Sequence, residues 1–209
     1  MTNREKHDQK LIERLSLFND AVYAIVLTLL ILEIHTPELI QTNSYSEMFG
    51  ALEHLYPKFS AFILSALMIG ANWMSSINIQ RIVTKINSTY IVTMITYLII
   101  ISILPFCGAL IGNYPNNPAS YVILGILTII LLINGYIYTN NIIKNNLMHP
   151  DSDIPELKKL RKMMPLVVIF IIIMSLLAFV STLLSFILFL IWSVLPFFVT
   201  KDLSVVHKD

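Results

Sequence analysis

The chain has 209 residues, 56% of them hydrophobic and only 13% charged, about half the ~25% charge of an ordinary soluble domain. That composition excludes a disordered chain and a soluble globule. The net charge of +1 gives no nucleic-acid footprint, and the single cysteine, Cys107, excludes an internal disulfide or a cysteine-cluster metal site.

The charges are unevenly spread. Phe59–Gln80, Ile86–Ile143 and Met163–Thr200 are runs of 22, 58 and 38 residues without any. At ~20 apolar residues per helical crossing they hold one, two and two spans. A sixth lies in the N-terminal quarter. The expected fold is therefore all-α: a single six-helix transmembrane domain over residues 1–209.

In chain order, the first span is expected at about 15–34. About fourteen strongly charged residues precede its apolar run, which is too long for a signal h-region, so this helix is expected to be retained. The second is expected at 59–76 and the third at 90–111, with Pro105 kinking it near its end. The segment Gly112–Ser120, GNYPNNPAS, is turn chemistry. The fourth span follows at 121–138. The last run would be ~57 Å long as one helix at ~1.5 Å per residue, too long for a ~30 Å hydrocarbon core. Both its flanks are basic, so it reads as a hairpin of spans 163–180 and 183–200 that turns near Ser181–Thr182.

Orientation follows from the lysines and arginines. With both termini cytoplasmic, the inside segments hold Arg4, Lys6, Lys10, Arg14, Arg81, Lys85 and Lys144. They also hold the cluster at Lys158, Lys159, Arg161 and Lys162, and finally Lys201 and Lys208. The outside holds only Lys58. The outer loop 35–57 carries Glu38, Glu47 and Glu53, and Glu33 ends the first span, so the outer mouth is acidic.

The first span differs from the rest. Asp20 lies inside its apolar run, where a carboxylate costs ~2.5–3.5 kcal/mol on insertion scales. Two readings are open: a proton or ion site, or a hydrogen-bond lock between helices. Arg14 is six residues, ~9 Å of helix rise, from Asp20, so partners on another helix are favoured. Trp73 and Asn72 lie at a comparable depth. Ile25, Thr28, Leu29 and Leu32, at offsets 0, 3, 4 and 7, form one stripe. Taken alone, such a stripe is ordinarily packed or lipid-facing. Gly70, Gly108, Gly125 and Gly135 form no GxxxG. Asn134 reads as an interhelical hydrogen-bonding residue. The five histidines lie at or beyond span ends, with no metal-site spacing. The sequon at Asn87 falls on the inside and is discounted. No enzyme motif and no TVGYG filter is present.

The segment from Arg14 through Phe18, Asn19 and Asp20 resembles the R-x-x-x-F-S-D signature opening the first helix of the transmembrane protein 175 family. That family comprises lysosomal potassium channels and their bacterial homologues. The resemblance continues through Tyr56-Pro57-Lys58-Phe59, Trp73 and Leu104-Pro105-Phe106, and through the order of six spans. Two positions depart from it. Asn19 stands where the family has Ser, and Ser76 and Ile77 stand where it commonly has a His pair, so the network is expected to be thinner or completed by Asn72 or Asn78.

The resemblance implies a potassium-selective, passive cation channel in a cell membrane, the inner membrane in a bacterium. It implies a homotetramer whose first helices line a central pore. Ile25, Leu29 and Leu32 map to its hydrophobic constriction and Thr28 to its pore-lining threonine. Arg14, Phe18, Asn19, Asp20 and Trp73 map to a structural lock, with Glu33 and Glu38 at the outer mouth. No cofactor is implied and no metal beyond permeating potassium. The lipid bilayer, other copies of the chain and monovalent cations are the implied partners. The rival readings are a proton-coupled carrier titrating at Asp20 and a non-conducting membrane scaffold.

Overall fold

A computed structural model describes residues 3–37, 45–149 and 154–199, and among these it is a bundle of helices. In order they are α1 (Asn3–Leu32), α2 (Tyr45–His54), α3 (Tyr56–Ile82), α4 (Ser88–Ile101), α5 (Leu104–Asn113), α6 (Pro118–Lys144), α7 (Ile154–Leu177) and α8 (Thr182–Val199). Four stretches among the described residues are long and apolar enough to cross a membrane: α1, α3, the α4–α5 pair and α6. α8 is apolar but shorter, and α7 carries the basic segment KKLRK near its start. Helices α3 and α6 extend beyond the expected spans at both ends, because polar residues continue them past the apolar run. The loop expected at 35–57 contains an unanticipated helix, α2.

Local chemistry accounts for the boundaries. The Asn87 side chain caps α4 by accepting from the Tyr90 N–H at 2.8 Å. Asn117 caps α6 by accepting from the Ala119 N–H at 3.0 Å, with Pro118 in the first turn. The break between α4 and α5 falls at 102–103. Pro105 cannot donate to the carbonyl four residues back, that of Ile101, and its ring crowds that carbonyl. The Ser102 hydroxyl bonds back to the Leu98 carbonyl at 2.8 Å at this corner. The long C-terminal apolar run is broken at 178–181, where the Ser181 hydroxyl accepts from the Leu184 N–H at 3.3 Å.

α3 lies centrally, against α1, α5 and α8, while α6 packs on α4 and α7. The close approaches use glycine against serine on a neighbouring helix. A Cβ added at Gly108 would overlap the Ser65 hydroxyl, and one at Gly125 would overlap that of Ser175. The main core gathers Tyr23, Val26 and Leu30 of α1 with Leu64 and Met68 of α3 and Ile101 of α4.

A second apolar cluster sits at the basic end, built on Ile82, Tyr90, Met94, Tyr138 and Ile142, with Ile12 and Leu15 of α1 packed on it. It is fastened by an antiparallel bridge between Val83 and Met148. Asn87 and Asn141 fasten it further by exchanging side-chain amide hydrogen bonds at 3.2 and 3.0 Å. With its oxygen and amide both engaged, the Asn87 side chain is structural. At the same end, Arg161 of α7 donates to the Asn140 side chain at 2.9 Å and lies 6.0 Å from the Tyr136 ring centroid.

Candidate functional site: the first helix

α1 buries one face only. Ile12, Leu15, Asn19, Tyr23, Val26 and Leu30 recur every three or four residues and pack on the bundle. The remainder of the helix is uncovered. In its most apolar stretch 22% of the residues are buried, against 33%, 44% and 33% for the other three candidate spans. This helix turns least of its surface inward, so its outer side is shaped for lipid or for other copies of the chain.

On that outer surface lie Ile25, Thr28, Leu29 and Leu32. Ile25 is 58% exposed and Leu32 68%, and Thr28 and Leu29 are exposed as well. At ~100° per residue the four fall within an arc ~100° wide, ~140° around the helix from the buried face. The Thr28 hydroxyl donates to the Ile25 carbonyl at 2.8 Å. That bond uses its hydrogen and leaves the oxygen's lone pairs free to accept or to coordinate a cation.

One turn toward the basic end, the polar residues meet α3. The Asp20 carboxylate accepts from the Trp73 indole N–H at 2.9 Å. The Asn19 amide donates to the Ser76 hydroxyl at 3.1 Å and to Asp20 at 3.5 Å. Ser76 in turn donates to the Trp73 carbonyl at 2.8 Å. Asn19 is only 2% exposed, so its amide depends on these partners. The serine that replaces the first family histidine therefore enters the network itself. Asn72 does not join Asp20; it accepts from the Tyr97 hydroxyl of α4. The Tyr23 hydroxyl is buried beside Ser76 and Tyr97 without hydrogen-bond geometry to either.

Asn19, Asp20, Trp73 and Ser76 are thus brought together. Arg14 and Phe18 are not. Both are exposed, and at ~100° per residue they fall on the arc of Ile25 and Leu32, away from α3. At the other end of α1, Glu33 lines a small cleft of about 20 Å³ together with Lys58, Phe62 and Asn113. Glu38 lies outside the described residues. The sequence reading missed Tyr23 and Tyr97. Tyr23 had a signal, four residues after Asn19 on the same face; Tyr97 had none, because only the fold brings α4 beside α1 and sets its hydroxyl against Asn72 of α3.

A model of the endosomal/lysosomal potassium channel TMEM175 family matches residues 14–105, from the arginine that opens the α1 signature to the proline that breaks α4 from α5. A potassium channel of Chryseobacterium sp. (strain P1-3) is 26% identical over 148 residues, 70% of each chain. A potassium channel of Chamaesiphon minutus is 25% identical over 187 residues, 87% of this chain and 91% of the relative. In three dimensions the chain superposes on the crystal structure of a lysosomal potassium-selective channel TMEM175 homolog from Chamaesiphon minutus. The TM-score is 0.75 at 20% identity, with 90% of this chain and 96% of the other covered.

Proposed function

We propose that the chain is a member of the TMEM175 family, whose model matches residues 14–105, and that, like the potassium channels it is similar to, it is a potassium-selective channel conducting passively down the electrochemical gradient. In this reading four copies surround a central axis and turn the uncovered arc of each α1 toward it. The observation that carries the proposal is that arc: Ile25, Thr28, Leu29 and Leu32 lie exposed on the least covered of the candidate spans. Six crossings, with α7 and α8 as the last two, place both termini and the basic end in the cytoplasm, in keeping with the distribution of Lys and Arg.

A ring of four Ile25 side chains forms the narrowest point and blocks ions by dewetting when closed. The ring offers no oxygen, so passage requires partial loss of the hydration shell, which potassium sheds more readily than sodium. Thr28 oxygens, held in place by the bond to the Ile25 carbonyl, compensate part of that loss one turn away. Glu33 and Glu38 raise the cation concentration at the outer mouth. Asn19, Asp20 and Trp73 set the position of α1 on α3. Arg14 and Phe18, exposed on one copy, take part in the lock through contacts with a neighbouring copy.

Reversal potentials of the purified protein in planar bilayers, under asymmetric potassium and sodium chloride, test the reading. The expected reversal lies near the potassium equilibrium potential. Flux that saturates, or that requires a proton gradient, would instead support a carrier, and bilayers without current would support a scaffold.

A further inference from the structure

α1 and α3 present matching triads to each other. Asn19, Asp20 and Tyr23 lie at offsets 0, 1 and 4 on α1, and Asn72, Trp73 and Ser76 lie at the same offsets on α3. At ~100° per residue each triad fits within an arc of ~100°. Asn19 bonds to Ser76 and Asp20 to Trp73, so the two helices run antiparallel and their register is set. Four residues on along α1 is Tyr23, and four residues back along α3 is Asn72. These two stand at one depth, a turn nearer the proposed constriction at Ile25.

At this second level a third helix intervenes. The Tyr97 hydroxyl of α4 donates to the Asn72 side-chain carbonyl, and the Asn72 amide donates to the Met68 carbonyl of its own helix at 2.7 Å. The Asn72 side chain is therefore held at both ends. The Tyr23 hydroxyl, on a residue only 3% exposed, is enclosed beside Tyr97 and Ser76. A Cβ added at Gly135 would meet the Tyr97 ring at 4.0 Å, so α6 backs that ring. All of these contacts lie within one protomer and need no neighbouring copy.

A helix tied on one side only can roll about its axis. Trp73 ties α3 to Asp20 of α1, and Asn72, ~100° around the axis, ties it to Tyr97 of α4. A roll that parted Trp73 from Asp20 would also strain the Tyr97–Asn72 bond, and a polar group left unpaired inside a low-dielectric bundle is costly. We propose that Tyr97 is a positioning residue for the pore helix. Acting through Asn72, it fixes the roll of α3 and with it the Trp73–Asp20 contact that orients α1, so the lock engages three helices. The inference deepens the channel reading, because the helix being oriented carries Ile25, but its central measurement does not depend on conduction.

The test reads the Trp73 indole N–H by nuclear magnetic resonance in the full chain, reconstituted in lipid nanodiscs. Trp192→Phe leaves Trp73 as the only tryptophan. Asp20→Ala supplies the indole resonance of the broken contact. Tyr97→Phe, which keeps the ring and removes the donor, should move the indole resonance most of the way to that reference and speed its exchange with water several-fold. Asn72→Leu should do the same, and the double variant should add nothing, because both changes cut one connection. Tyr121→Phe is the control: it deletes another tyrosine hydroxyl bond, to the Pro115 carbonyl at 3.0 Å, and should leave the indole signal in place. An unmoved indole resonance in a folded Tyr97→Phe or Asn72→Leu protein would overturn the proposal. So would an equal shift in Tyr121→Phe, which would reduce the effect to general loosening. In planar bilayers the Tyr97→Phe protein should also show an altered potassium-to-sodium permeability ratio. A protein that passes no current leaves the indole measurement valid, and an unmoved indole leaves the channel reading standing.

Discussion

The two halves of α1 solve different problems with the same helix. From Asn19 to Tyr23 the side chains that matter are polar or aromatic and reach toward α3. Asn19 is enclosed, and Asp20, Trp73 and Ser76 are joined by a chain of hydrogen bonds. From Ile25 to Leu32 one side still packs on the core through Val26 and Leu30. The opposite side presents aliphatic groups and one hydroxyl to the exterior. Only a helix fixed in rotation at one end can hold an exposed stripe at a defined angle at the other. The polar half supplies rotational register and the apolar half supplies the surface, so damage to each should produce a different kind of defect.

The largest expected effect is on the apolar half. Ile25→Asn replaces an aliphatic side chain with an amide that hydrates, removing the dewetting barrier at the proposed ring. Basal potassium and sodium currents should rise by about tenfold or more, equivalent to lowering the barrier by ~1.4 kcal/mol. Single-channel recording in planar bilayers reads this directly. Stability should barely change, because the Ile25 side chain is mostly uncovered within its own protomer. A folded Ile25→Asn protein of unaltered conductance and selectivity would remove Ile25 from the ion path.

Next comes the polar half. Asn19→Ala leaves a void beside Ser76 and deletes both amide hydrogen bonds. Deleting one partner of a buried hydrogen bond costs ~1–3 kcal/mol, to be measured as a shift in the unfolding transition during detergent titration. The fully assembled fraction should keep the parent's unitary conductance. A change in conductance without a change in stability would reverse the division of labour between the two halves. Asn19→Ser, which keeps a hydroxyl donor, should lose less.

How much of this was legible in the sequence depends on whether a feature is written along one helix or between two. The stripe at Ile25, Thr28, Leu29 and Leu32 is a within-helix periodicity and can be read from spacing. Matching depths in two antiparallel spans offer both Trp73 and Asn72 to Asp20, and only the packed helices select Trp73. The Gly108–Ser65 and Gly125–Ser175 approaches carry no such trace. Each pairs one small residue with another far away in sequence, and a search for two glycines on one helix passes over them. Tyr97 reaching Asn72 is of the same kind. α2 was missed for a different reason: its apolar stripe is interrupted by Glu47, Gly50 and Glu53, and beside the stronger apolar runs it reads as a loop.

The smallest expected effect tests the one polar group in the apolar half. Thr28→Val keeps the shape of the side chain and removes the oxygen. Its hydroxyl bonds to the Ile25 carbonyl three residues earlier and is exposed, so the change in stability should stay within about 0.5 kcal/mol. If the ring at Ile25 alone discriminates by dehydration, the potassium-to-sodium permeability ratio should be untouched. If the Thr28 oxygens compensate ions that have shed water at the ring, the ratio should fall by about twofold, a difference of ~0.4 kcal/mol between the two ions. Thr28→Ser, which keeps the oxygen and loses only a methyl group, should retain the parent ratio. Reversal potentials of the three proteins in the same asymmetric solutions separate these cases. Because Thr28 and Ile25 lie on one arc of a helix whose rotation is fixed by Asn19 and Asp20, a double variant Asn19→Ala, Thr28→Val should show the stability loss of the first and the selectivity loss of the second, added without interaction. Any coupling between them would mean that the polar half does more than hold the helix still.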